Sequence, residues 1–260
     1  TGRPSLQLAI GSRRISIRPA RQPRGSQRSR RERRPSLASG RIRRLPCVRA
    51  RAAVAMTAEV AICGVVGSIL NGVRCVVFDV GETLVDETRL WTAIAEHCGV
   101  PVAALCGVLG GLIEAGEHHG RLWEVLGVDR YLPPFVIEEA DLYPDAVECI
   151  GSARRHHLRV GIAGNQPEGL DEQLSAAGLR ADFVGSSAQW GVRKPDPAFF
   201  ARIVDAAGVP AQAILYVGDR LDNDVLPAHL AGMRTAHLRR GAWGYLHARR
   251  PERAVADVKI

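Results

Sequence analysis

Three things are scarce in this chain of 260 residues, and each scarcity excludes something. Paired cysteines are the first. The six cysteines, at positions 47, 63, 75, 98, 106 and 149, form no C-x-x-C pair. Several lie inside apolar runs, as Cys75 does in VRCVVFD. This pattern predicts reduced, buried thiols and a cytoplasmic setting rather than a disulfide framework. Long apolar runs are the second. Residues 59 to 70 come nearest, and they fall short of the roughly 20 residues that cross a bilayer, so no membrane partner is expected. Acids at the N-terminal end are the third. Residues 1 to 55 hold 16 arginines, no lysine and one acid, Glu32, a charge of +15. The other 205 residues hold 19 basic and 26 acidic side chains, a charge of −7. The formal +8 of the whole chain is therefore a property of its tail. A nucleic-acid-binding domain carries its basic patch on the fold itself, so no nucleic-acid partner is expected for the folded part.

The tail SRRISIRPARQPRGSQRSRRERRPSLASGRIRR has no apolar period and predicts no structure. Three readings stand open for it. It is sequence upstream of a natural start at Met56, an Arg- and Ser-rich organelle transit segment, or a basic arm for RNA or acidic surfaces. The transit reading would place the protein in an organelle. The whole chain is 46 % hydrophobic, enough for a sizeable core. Its expected divisions are a lead-in over 56–72, an α/β core made of 73–87 and 143–260, and a helical block over 88–142. No internal repeat is present.

From residue 73 the text alternates. VRCVVFD reads as a buried strand, residues 88 to 99 as a helix, and Pro101 opens a second helix to about Gly116. Weaker helical text runs on to about residue 142, broken at Pro133-Pro134. Then LRVGIAG, ADFVGS, AILYVGD, RTAHLR and AVADVKI read as strands. Helices over 145–157, 168–177, 197–207 and 224–231 separate them. Strands alternating with helices predict an α/β fold, a doubly wound parallel sheet covered on both faces, with a small helical cap after the first strand.

In such sheets ligands bind at the carboxyl ends of the strands. Asp79, Asn165, Lys194 and the pair Asp219 and Asp224 all fall there. Carboxylates gathered at one rim repel, and hard oxygen donors suit Mg²⁺ as the cation that relieves them. Mg²⁺ and a lysine facing a carboxylate nucleophile are the equipment for phosphoryl transfer through an aspartyl-phosphate.

The order of these pieces resembles the haloacid dehalogenase-like hydrolases, over about residues 73 to 258. The resemblance is carried by FDVGETL, VGIAGN, GVRKPDPAFF and VGDRLDNDVLPAHLAGM. It implies Asp79 as nucleophile and metal ligand, and Thr83 as a residue that steadies the loop after the first strand. It implies Asn165, with position Gly164, at the phosphoryl group, and Lys194 balancing its charge. Asp219 would bind the metal, Asp224 would support it directly or through water, and the carbonyl of Val80 or Gly81 would complete the shell. A Mg²⁺-dependent phosphatase of a small phosphorylated metabolite is the activity implied.

Two positions depart from the family pattern. Family phosphatases carry a second Asp two residues after the nucleophile, as general acid, and here that position is Gly81. The second motif has Gly164 where a Ser or Thr hydroxyl is usual. Glu82 is one residue too far along and is read as pointing elsewhere, although a flexible Gly81 leaves open that it swings in. These departures keep two rivals in play: a metal-independent 2-haloacid dehalogenase, and a family member that binds without turnover. Trp91 and Trp123 read as interior of the helical block or as pocket wall, and Trp190 as a residue near the Lys194 loop. His118-His119 and His156-His157 read as surface pairs, Asp222-Asn223 as a turn, and GAWG over 241–244 as a rim loop.

Overall fold

A computed structural model describes residues 71–260. The readings of the arginine-rich tail, the start at Met56 and most of the lead-in lie outside the described residues. Six parallel strands form one sheet: β1 (Cys75–Phe78), β2 (Arg159–Gly164), β3 (Phe183–Ser186), β4 (Ile214–Gly218), β5 (Arg234–His237) and β6 (Val258–Lys259). Their order is β3-β2-β1-β4-β5-β6. β1 lies at the centre, in register with β4 from Cys75 opposite Ile214 to Phe78 opposite Val217. The order reverses direction between β1 and β4, the switch point where α/β sheets open a crevice.

Side chains alternate across the sheet, so each strand feeds two cores. Val76, Phe78, Val160, Ile162, Leu215 and Val217 pack on one face. Cys75, Val77, Ala163, Ile214 and Tyr216 pack on the other. This double burial explains why β1 and β4 read as unbroken apolar runs. The helices joining the strands are α4 (Ala146–Arg155), α5 (Leu170–Ala176), α6 (Ser187–Trp190), α7 (Pro197–Ala207) and α8 (Leu226–Leu230). The α7 boundaries follow from local chemistry. Asp196 accepts from the Ala198 amide at 2.8 Å, Pro197 fits the first turn, and Gly208 closes the helix at φ 63°.

Between β1 and α4 come α1 (Thr88–His97), α2 (Val102–Glu114) and α3 (Leu122–Leu126). They bury their own cluster, with Ile94, Leu105, Leu109, Ile113 and Leu122 at its centre. No single helix among the described residues is long and apolar enough to cross a membrane; α1 and α2 reach that length only together, bent by 110°. Residues 127 to 138 contain no helix, so the helical text stops at Gly127, which takes a left-handed φ of 68°, before Pro133-Pro134 is reached. A further correction concerns GAWG. It is the first turn of a helix, α9 (Gly241–His247), which packs against α2 and sends Trp243 into the apolar cluster there. Of the four described cysteines, all free, Cys75 is buried but Cys106 and Cys149 are exposed, so burial of the thiols holds only in part.

Candidate active site

β1 and β4 both end in an acid, and the helix-capping order of the next segments brings the remaining groups to them. Lys194 lies in the loop ahead of α7 and is 2 % exposed. Its Nζ donates to Asp79 Oδ1 at 2.6 Å, to Asp224 Oδ1 at 2.5 Å and to the Tyr216 hydroxyl at 3.2 Å. Burial works against the charge on Lys194, but the carboxylates of Asp224 and Asp79 outweigh it and hold its pKa well above the usual lysine value. For Asp79 burial dominates and lifts the pKa to about 6, against the pull of Lys194.

Asn165 follows β2 and reaches the same loop. Its Oδ1 accepts from the Lys194 amide at 2.8 Å, and its Nδ2 donates to the Lys194 carbonyl at 3.0 Å. Both ends of the amide thus bond the Lys194 main chain, and one Nδ2–H has no partner among the described residues. In this structure Asn165 positions Lys194, a task that its expected contact with the phosphoryl group did not include.

Asp219 lies one residue past β4 and is 2 % exposed. Its Oδ2 is buried with no hydrogen-bond partner among the described residues. Burial, then the charges of Asp224 and Asp79, push its pKa well above the usual carboxylate range. Oxygens of Asp79, Asp219 and Asp224 lie within 4.8 Å of one another. Three carboxylates against one ammonium leave two negative charges, the charge of one divalent cation. An orphaned buried oxygen among hard donors is the surrounding such a cation satisfies.

Asp224 stands in a π-helical turn over Leu221–Val225 rather than in a regular helix, as sequence reading expected from residue 224. Its Oδ2 accepts from the Arg220 amide at 3.1 Å, so both oxygens are engaged. Two histidines that the sequence did not single out pin this loop. His237 takes the Arg253 Nε–H on Nδ1 at 2.9 Å, so its proton is on Nε2, which faces the Asp219 carbonyl at 2.9 Å. His247 accepts from the Leu221 amide at 3.0 Å, and burial lowers its pKa to about 4. Both come from β5 and α9, far along the chain, and no local spacing marks them.

The loop after β1 is tied by main-chain bonds. The amides of Leu84 and Val85 both donate to the Val80 carbonyl at 2.9 Å, and that of Thr83 does so at 3.3 Å. Thr83 is fully buried, yet its hydroxyl has no partner among the described residues. Thr83 therefore does not steady the loop through its hydroxyl; Arg240 instead clasps its carbonyl at 2.5 Å. Glu82 takes a left-handed φ of 52° and turns its carboxylate to the Tyr143 hydroxyl. Gly241 closes over it. Glu82 does point elsewhere.

Glu87 was not among the expected residues. It occupies the boundary position of α1, where an acid reads as a helix cap. Asp86 does the capping, accepting from the Thr88 amide at 2.9 Å, and the Glu87 side chain makes no cap bond. Burial, then the charges of Glu82 and Asp79, raise its pKa to about 8, with Arg220 and Lys194 pulling the other way. Gly164 lies under Asp79: a Cβ there would fall 2.8 Å from Asp79 Oδ1.

The aromatic and histidine candidates divide. Trp91 and Trp123 pack against the cluster of the helical block. Trp190 lies over Gly185 and against Phe199, with ring centroids 5.0 Å apart, in the sheet's core. His156 and His157 are exposed as expected. His119 is not a surface residue of a matched pair; it is half-buried, edge-on to Trp243 at 5.6 Å, with its pKa lowered to about 4 by burial and by Arg220. Asp222 takes the Arg220 guanidinium at 2.6 Å, as turn chemistry.

Comparison with known proteins adds three findings. A family model described as haloacid dehalogenase-like hydrolase matches residues 73–232. Among curated relatives, the chain is 32 % identical over 218 residues to a glyceraldehyde 3-phosphate phosphatase of Methanopyrus kandleri, covering 72 % of this chain and 93 % of the relative. It is 30 % identical over 153 residues to a phosphoglycolate phosphatase of Rhodospirillum rubrum, where it spans 57 % of this chain and 63 % of the relative's length, under two thirds. It is 35 % identical over 121 residues to a phosphoserine phosphatase of Thermus thermophilus, covering 45 % of this chain and 49 % of that one. Among solved structures, a crystal structure of a dehalogenase matches with a TM-score of 0.52 at 19 % identity, over 72 % of this chain and 92 % of the other. At that identity the likeness is one of fold.

Proposed function

The chain belongs to the haloacid dehalogenase-like hydrolases, and from that membership we propose that it is a Mg²⁺-dependent phosphatase of a small phosphorylated metabolite. The observation that carries the reading is the buried trio Asp79, Asp219 and Asp224 facing one buried ammonium, Lys194. The relatives are named as phosphatases of glyceraldehyde 3-phosphate, phosphoglycolate and phosphoserine, all small phosphate esters, which supports the substrate class.

In this reading Asp79 is the nucleophile. It attacks phosphorus, the ester oxygen leaves, and an aspartyl-phosphate forms; water then attacks that phosphorus and frees the carboxylate. Lys194, fixed by Asn165 and Asp224, holds Asp79 in place and balances charge as it passes to the phosphoryl oxygens. Asp79 and Asp219 would hold Mg²⁺, with Asp224 steadying the shell from its bonds to Lys194 and the Arg220 amide. When bound, the ion would offset charge on the phosphoryl oxygens. The helices over 88–126 would act as the cap that covers the site, meeting the core at α9, where His119, Trp243 and Arg220 gather.

The test is hydrolysis of 4-nitrophenyl phosphate, with Mg²⁺, with chelator, and by Asp79→Asn. Turnover that needs both the ion and Asp79 is expected. Turnover of 2-haloacids that survives chelation would favour the dehalogenase reading instead. Silence toward aryl phosphate, phosphorylated metabolites and haloacids alike would favour binding without turnover.

A further inference from the structure

Resting on the phosphatase reading, we propose that Glu87 is the general acid of this site, its carboxyl reaching from the start of α1 into the space that the missing side chain of residue 81 leaves. The geometry is direct. A Cβ built on Gly81 would lie 2.3 Å from Glu87 Oε1, 2.7 Å from its Cδ and 3.3 Å from Oε2. Those are overlaps, not contacts. The carboxyl of Glu87 already fills the volume in which a side chain at position 81 would begin. A side chain at 81 would displace the Glu87 carboxyl from where it sits.

Three further observations favour this use of Glu87 over a packing role. Asp86 has taken the helix cap, so the carboxyl of Glu87 is not needed there. No hydrogen bond holds that carboxyl among the described residues, so its oxygens are open to a ligand. The charged groups around it are those of the site: Glu82, Asp79, Arg220 and Lys194. Glu82, the other acid of the loop, is turned to Tyr143 and shut under Gly241, which removes it as a rival.

The step balances. As Asp79 bonds to phosphorus and the P–O ester bond breaks, the leaving oxygen takes the Glu87 proton and departs as an alcohol, leaving Glu87 a carboxylate. In the second half, water attacks phosphorus of the aspartyl-phosphate and gives its proton to Glu87. Phosphate leaves, and both acids return to their starting states.

The experiment compares a poor and a good leaving group. Glu87→Gln keeps shape and removes the proton. It is measured on an alkyl monophosphate that the wild-type chain hydrolyses and on 4-nitrophenyl phosphate, whose phenolate needs little protonation. Thermal unfolding checks that the variant is folded. The expected result is a loss of about 10²–10⁴ in kcat on the alkyl ester and under about 10-fold on the aryl ester. A second variant, Glu87→Ala with Gly81→Asp, moves the acid to residue 81, now free of overlap; alkyl ester turnover at least about 10-fold above that of Glu87→Ala alone is expected. Equal losses on both esters, no loss on either, or a swap that stays active on the aryl ester yet rescues nothing on the alkyl ester would each overturn the assignment. If the wild-type chain hydrolyses neither ester, it is the phosphatase reading that fails, and this assignment falls with it.

Discussion

β1 and β4 run side by side in register, and each ends in a buried aspartate after a similar run, CVVFD and LYVGD. The two strand ends nevertheless differ in what meets the acid. Asp79 has the Lys194 ammonium at 2.6 Å, whereas Asp219 keeps a buried oxygen without a partner among the described residues. One carboxylate has its partner within the fold; the other leaves an oxygen open among the described residues. A single lysine placed between β1 and the π-helical turn creates that difference, and in the proposed reading it separates the nucleophile from an acid that serves the cation alone.

Substitution at the two acids should break the comparison most sharply. Asp79→Asn is expected to lower kcat by on the order of 10⁴–10⁶, as loss of a covalent nucleophile does. Asp219→Asn is expected to abolish the rise in Tm on adding Mg²⁺, read by thermal unfolding. If Asp219→Asn keeps the full rise in Tm, the orphaned oxygen is not a ligand.

Lys194→Met should erase the distinction by leaving Asp79 without its ammonium and Asp224 with only the Arg220 amide. Removal of one partner from a buried pair costs about 3–5 kcal/mol, and denaturant unfolding would measure it. Asn165→Ala tests the support beneath that lysine. It strands the Lys194 amide and carbonyl, with an expected loss of roughly 1–3 kcal/mol and a lower kcat. A variant with wild-type stability would mean that the amide pair is not holding the loop.

The smallest effect is one of pH. The Asp219 carboxyl titrates above its unfolded value, so in the metal-free protein the folded state binds the extra proton. Its contribution is unfavourable at high pH and is relieved as pH falls toward the ordinary carboxylate range near 4. In chelator, Asp219→Asn should therefore unfold at a higher temperature than the unaltered chain at pH 8, and the gap should narrow by pH 5. A gap that widens on acidification would reverse the sign and refute the electrostatic account.

Much of this was legible from the sequence because it is local. Apolar runs gave the strands β1 to β5, Asp196-Pro197 and Gly208 gave the bounds of α7, and acids after apolar runs marked the rim. Lys194 was also legible because it stands in GVRKPDPAFF, just ahead of a helix that Pro197 opens. What stayed hidden is long-range or depends on rotation of one side chain. His237 and Asn165 act on main-chain atoms of distant segments. The α9 helix begins at a glycine with φ 56° and two glycines in its first turn, so propensity argued for a loop and packing on α2 overruled it. Glu87 drew no reading, because its use depends on the direction of one side chain that the sequence does not show.

The central claim, that Asp79 carries the phosphoryl group, is tested most directly by trapping. The chain is mixed with phosphate-labelled substrate and Mg²⁺, quenched in acid within one turnover, and digested. The account predicts label on the peptide that contains Asp79, released by hydroxylamine as an acyl phosphate is, and no label in Asp79→Asn. Turnover with the label never on protein, or label on any other residue, would contradict it.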